Sequence, residues 1–127
     1  MFQKYKDHAA FLFVYIQEAH PADGWQLDSN ETEGVIFSQP KEWDERRSVA
    51  KACCTKLSLS IPCVVDTIDN TVDNLYASWP ERMFVIDRDG TVAYAGEQGP
   101  WGFKPKATER SLRRLLRAHQ RKSPSIR

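Results

Sequence analysis

The run from Ala10 to Ile16, "AFLFVYI", constrains the fold more than any other stretch of the chain. A half-buried strand alternates apolar and polar residues. A strand without that alternation is covered on both faces, as in a parallel sheet. The run predicts such a strand and, with helical segments on either side, an α/β domain. It reads directly into "QEAHPADGW", residues 17–25. A buried strand therefore delivers a carboxylate, Glu18, and an imidazole, His20, at its carboxyl end. Open α/β sheets hold their ligands outside those ends. Glu18 and His20 alternate with Gln17 and Ala19, so continued extension puts both on one face.

The rest of the chain is read around that strand. Its 127 residues suit one compact domain. The formal charge of +1 gives no overall electrostatic fit to nucleic acid. The arginines of the last segment read as a solvated helix face. No stretch reaches the roughly 18 apolar residues of a membrane span. The first sixteen residues lack the small-residue cleavage site of a secretory leader. A soluble, cytoplasmic protein is the expectation. Cys53, Cys54 and Cys63 form no C-x-x-C and share no metal-ligand spacing with the three histidines, so no metal is expected. Free thiols follow for a reducing compartment.

Residues 1–9 are helix-compatible but barely two turns long, with no capping residue ahead of them. Residues 17–41 carry turn chemistry. A helix is predicted over 42–57, with Val49, Ala50, Cys53 and Leu57 inward. A short strand follows at 63–65. The helix predicted over 70–78 has Asp69 as N-cap and Val72, Leu75 and Tyr76 on one face. Strands at 82–87 and 91–96 flank "DRDG", where Asp89 and Gly90 suit positive φ. An amphipathic helix over 107–121 points Leu112, Leu115 and Leu116 inward. The domain is read as 1–121, with 122–127 a disordered tail.

The order of elements, ending in helix, hairpin and helix, resembles the second half of a thioredoxin-like fold with a peroxiredoxin/TlpA-type insertion. The first strand-helix unit of that fold is missing. Without it the strand at 10–16 and the strand at 82–87 lack a shared neighbour. "VYIQEAHPADGW" resembles the iodothyronine deiodinases, which carry Y-I-x-E-A-H-P-x-D-G-W here, and is more similar to their looser, bacterial branch than to the vertebrate enzymes. The likeness continues through "SLSIPCVVDTIDNTVDNLYASWPERMFVIDRDGTVAYAGEQGPWGF".

The resemblance implies an oxidoreductase that replaces an aromatic carbon–iodine bond by carbon–hydrogen, using a thiol reductant. It implies a selenocysteine or cysteine nucleophile in a unit ahead of Met1, no other cofactor, a small halogenated aromatic substrate and a homodimer. His20 would handle the proton and Glu18 would hold its tautomer. Cys63 would be a resolving thiol. Arg82 would offer a fork to a carboxylate or phenolate, and Trp25 would wall the aromatic pocket. A selenocysteine codon read as stop, with a restart at Met1, accounts for the missing unit. The rival account is a truncated paralogue without catalysis that pairs its bare sheet with a partner or a second copy.

Each residue also has a structural reading. His20 and Glu18 can cap the loop. Arg82 can pair with Glu81, Asp66 or Asp69. Cys63 can be a small buried hydrophobe, and Cys53 and Cys54 helix packing. Trp25, Trp79 and Trp101 can cover a core edge. His119 reads as exposed and inert. One departure bears on substrate: vertebrate members have a histidine after the glutamine preceding the long helix, and this chain has Gln39-Pro40. A thiol peroxidase or TlpA-like reductase on the same fold, and a non-catalytic interaction domain, are the rival functions.

Overall fold

A computed structural model describes residues 1–19 and 38–122. The predicted mixture of strands and helices is present, so the α/β class holds. The elements are α1 (Phe2–Tyr5), β1 (Phe13–Tyr15), α2 (Trp43–Lys56), β2 (Cys63–Val65), α3 (Thr71–Tyr76), β3 (Phe84–Ile86), β4 (Val92–Ala95) and α4 (Pro105–Lys122). Lys122, read above as the start of the tail, is the last helical residue.

β1 pairs in parallel with β2, with Phe13 opposite Cys63, Val14 opposite Val64 and Tyr15 opposite Val65. Backbone bonds extend the ladder at both ends, from Phe13 N–H to Pro62 O (2.8 Å) and from Asp66 N–H to Tyr15 O (2.8 Å). β3 and β4 form a separate antiparallel pair. The expected lack of a shared neighbour between the first strand and the hairpin is therefore observed among the described residues. The apolar run was expected to be covered on both faces, yet only Tyr15 in β1 is fully buried, and Leu12 is 61% exposed.

The hairpin turn follows its chemistry with one correction. Gly90 has φ +87°, and Asp89 is not at positive φ. Gly90 N–H bonds Asp87 O (3.0 Å), Asp87 N–H bonds Thr91 O (2.8 Å), and the ladder shifts register at Val85/Ile86. This is a type I turn followed by a left-handed glycine bulge rather than a two-residue turn.

The main core lies under α4. Leu112 packs with Tyr5 and Val85, and Ala9, Phe11, Tyr94, Leu115 and Leu116 surround them. Pro105 opens the helix, where its missing N–H costs nothing. The leucine face reads as predicted. His119 does not: its Nε2 lies 2.6 Å from Asp87 Oδ1 at the hairpin turn, so it is partly buried and partnered.

In α2, Glu45 reaches back to the N–H groups of Lys41 (2.9 Å) and Glu42 (3.4 Å), satisfying donors that the first helical turn leaves open. Ala50 is buried as expected, but Leu57 is exposed. Leu75, expected inward on α3, is 77% exposed. No described helix is long and apolar enough to cross a membrane.

Candidate active site at the carboxyl end of β1

The chain leaves β1 at Tyr15 and turns through Gln17 and Glu18. Tyr15 Oη donates to Glu18 Oε1, folding the carboxylate back toward its own strand. Glu18 N–H donates to Gln39 Oε1 (3.0 Å), which ties the strand end to the segment entering α2. Burial pushes the Glu18 carboxyl above its ordinary range. Glu18 also acts at a distance on Cys53. Burial first, then the charge of Glu18, raises the Cys53 thiol.

Two buried aspartates frame this end of the sheet. Asp66, 2% exposed, follows β2 directly. Its Oδ1 accepts from Thr67 N–H (2.8 Å) and Val72 N–H (2.9 Å), and its Oδ2 from Asp73 N–H (2.9 Å). Asp66 therefore holds the start of α3. The expected N-cap, Asp69, does not fill that role, and the cap position itself is Asn70 at φ +58°. Asp69 instead accepts from the Thr71 hydroxyl at the surface. Asp73 closes the other end. Its Oδ1 takes Ser78 N–H (3.2 Å) and Trp79 N–H (2.8 Å), and its Oδ2 takes Gln17 Nε2 (2.9 Å). Through Gln17, α3 and the exit of β1 are one hydrogen-bonded unit.

Sequence reasoning missed both aspartates as organisers. The available signal was a carboxylate placed directly after a strand and before a helix start. Arg46, 2% exposed, completes the unit by donating from a guanidinium nitrogen to Thr67 O.

Of the other predicted site residues, Cys63 and Arg82 are not gathered here. His20 and Trp25 lie outside the described residues. Cys63 is level with Phe13, at the amino end of β2, so it stands at the opposite end of the two-stranded sheet from Glu18. Its neighbours are the thiols of Cys54 and Cys53. Burial and the hydrogen bond with Cys54 push the Cys63 thiol up to about 12. Arg82 meets none of its suggested acidic partners among the recorded bonds. Its Nε donates to Gly96 O (2.6 Å), and one terminal nitrogen donates to Tyr76 O (2.9 Å) and Ala77 O (3.3 Å). It thereby satisfies carbonyls at the end of α3 and joins them to the residue that follows β4. The Trp79–Pro80 and Gly99–Pro100 peptides on either side of this junction are cis.

A model of the iodothyronine deiodinase family matches residues 1–116. The chain belongs to the iodothyronine deiodinase family. Among curated relatives, type I iodothyronine deiodinase of Xenopus laevis is 38% identical over 98 residues, covering 77% of this chain and 36% of the relative. Type II iodothyronine deiodinase of Neoceratodus forsteri is 32% identical over 117 residues, covering 91% and 43%. Thyroxine 5-deiodinase of Homo sapiens is 35% identical over 104 residues, covering 80% and 32%. The chain thus spans 32–43% of the length of these deiodinases. In this family setting, the framed strand end is the start of the E-A-H-P-x-D-G-W run. Gln39, whose neighbour is Pro40 rather than histidine, is the residue that grips Glu18 N–H.

Proposed function

We propose that this chain is the distal part of a thioredoxin-like, deiodinase-type oxidoreductase that reductively removes iodide from an iodinated phenol. The observation that carries the reading is Glu18. It is the first acidic residue of the deiodinase run, it is half-buried, and it is fixed at the carboxyl end of β1 by Tyr15 and Gln39. A selenolate or thiolate from outside these residues supplies the acceptor for iodine. His20 delivers the proton that the ring carbon takes as iodine leaves, so carbon–iodine is exchanged for carbon–hydrogen. Glu18 orients the imidazole and stabilises its cation. A thiol reductant then returns the acceptor to its reduced form, and iodide is released as the thiols become a disulfide. The thioredoxin-like frame is supported by the parallel β1–β2 pair, the β3–β4 hairpin and the covering α4. A homodimer rests on the resemblance alone, and cytoplasmic location is an expectation from the sequence.

The thiol peroxidase alternative is less well supported. The family model and the curated relatives that match this chain are deiodinases.

Iodide release from an iodinated phenol, with dithiothreitol as reductant, tests the proposal. The 127-residue chain releases none. The longer polypeptide from the native source releases iodide, and His20→Ala in it lowers kcat by about 100-fold, the scale of a lost proton donor. Turnover by the short chain, or a His20→Ala enzyme within about twofold of the parent, overturns it.

A further inference from the structure

The helix α4 and the elements it touches gather a concentration of positive charge that the deiodinase reading does not use. Pro105–Lys122 holds seven basic residues and one acid. That acid, Glu109, is already engaged by Lys4 Nζ (2.9 Å) and Tyr5 Oη (3.0 Å). Arg110, Arg113, Arg114, Arg117 and Arg121 recur at three- and four-residue spacings, which makes them neighbours on the helix surface. Like charges at that spacing disfavour the helix. Among the described residues none of the five enters an ion pair.

The charge is also shaped. A cleft of about 470 Å³ opens between α1, the hairpin turn and α4. Arg113 and Arg117 line it from α4, Arg88 from the turn and His8 from the segment after α1, with Asp7 the acidic residue in its wall. Lys4 and His119 also line it but are committed to Glu109 and Asp87. Its volume is that of a small-molecule site. A second hollow of about 350 Å³ adjoins it through the same Arg113 and Arg117, and continues along Arg110, Arg114 and Arg121.

We propose that the cleft between α1, the hairpin turn and α4 binds a small, multiply charged phosphate-type anion, gripped by Arg88, Arg113 and Arg117. Guanidinium forks on two elements match the oxygens of such an anion bidentately. The anion screens the repulsion along α4, and the remaining arginines draw it in. An extended polyanion fits less well. Residues 1–104 carry sixteen acids against ten bases, so a nucleic acid or bilayer that ran beyond α4 would meet a net negative body. This inference stands independently of the deiodinase reading.

Calorimetric titration of the 127-residue chain with inorganic tripolyphosphate tests it. At about 50 mM salt, where screening is modest, saturable one-to-one binding is expected. Arg88→Ala, Arg113→Ala and Arg117→Ala should each weaken it by about tenfold or more, the scale of a lost charged hydrogen bond. The double variant Arg110→Ala/Arg121→Ala should stay within about threefold, since those side chains act only through their field. All four arginines of the single and outer variants on α4 are exposed, as is Arg88, so each variant should keep the parent's circular dichroism. Absence of saturable binding overturns the proposal. So does equal weakening by the outer arginines. Tighter binding of a single-stranded oligonucleotide, lost in the double variant but not in Arg88→Ala, also overturns it and assigns the face to nucleic acid.

Discussion

Asp66 and Asp73 are buried carboxylates whose partners are mostly backbone N–H groups, and that decides what each is worth. Asp66 accepts three such bonds across the β2–α3 junction. Asp66→Ala leaves those donors unpaired and should cost about 3 kcal/mol of unfolding free energy in urea titration. A loss under about 0.5 kcal/mol would show that water replaces the carboxylate freely. Glu18 behaves differently, because burial raises its pKa. Below the ordinary carboxylate value both folded and unfolded chains hold the proton. As pH rises from there toward the raised folded value, the unfolded chain loses its proton first, and stability falls. Glu18→Gln removes this dependence. Its stability relative to the parent should therefore rise as pH climbs above the ordinary carboxylate value. A constant or falling difference would mean that the Tyr15 hydroxyl, not burial, governs the carboxylate.

At the scale of elements, the strands, the hairpin and the leucine face of α4 were legible because each is written in local periodicity. The roles of Asp66, Asp73, Arg82 and His119 were not, because each is set by partners brought close only by the fold. His119 meets Asp87 across thirty-two positions of sequence. Arg82 was assigned to acids or to substrate, and the fold gives it carbonyls at the end of α3 and after β4. Leu75 and Leu57 kept helical spacing but stay exposed among the described residues. The contrast is measurable. Leu112→Ala removes a side chain from the α4 core and should cost about 2–4 kcal/mol, whereas Leu75→Ala should change stability by less than about 0.5 kcal/mol. The clamp of α4 on the hairpin has its own signature. The Arg88 N–H first, and His119 second, hold Asp87 below the ordinary carboxylate range. Its contribution to stability is present above the ordinary value and is lost as pH falls through the lowered one. In His119→Ala the Asp87 carboxyl, followed by NMR, should titrate higher than in the parent. An unmoved titration would mean that the turn amides alone set it.

At the scale of the whole molecule, the described residues form two two-stranded sheets, and the edges that no described strand pairs link stability to the proposed activity. β1 spends the N–H and C=O of Phe13 and Tyr15 on β2, so the parallel pattern turns those of Val14 the other way. In the hairpin, Met83 O receives Gly96 N–H, so alternation turns the N–H groups of Phe84 and Ile86 away from β4. These are the groups that a strand lying between β1 and β3 would satisfy, and the deiodinase reading calls for one. Unpaired edges also recruit other chains, which is the physical basis of the rival interaction-domain reading. Amide hydrogen exchange separates the two. In the dilute 127-residue chain, Val14 and Phe84 should exchange faster than Tyr15 and Val85 by at least about tenfold. In a polypeptide that carries the strand the deiodinase reading calls for, Val14 and Phe84 should become protected at every concentration, because the covering strand belongs to the same molecule. Protection that appears in the short chain only as its concentration rises would mean that a second copy covers the edges. The deiodinase reading would then lose its account of how the site at Glu18 is completed.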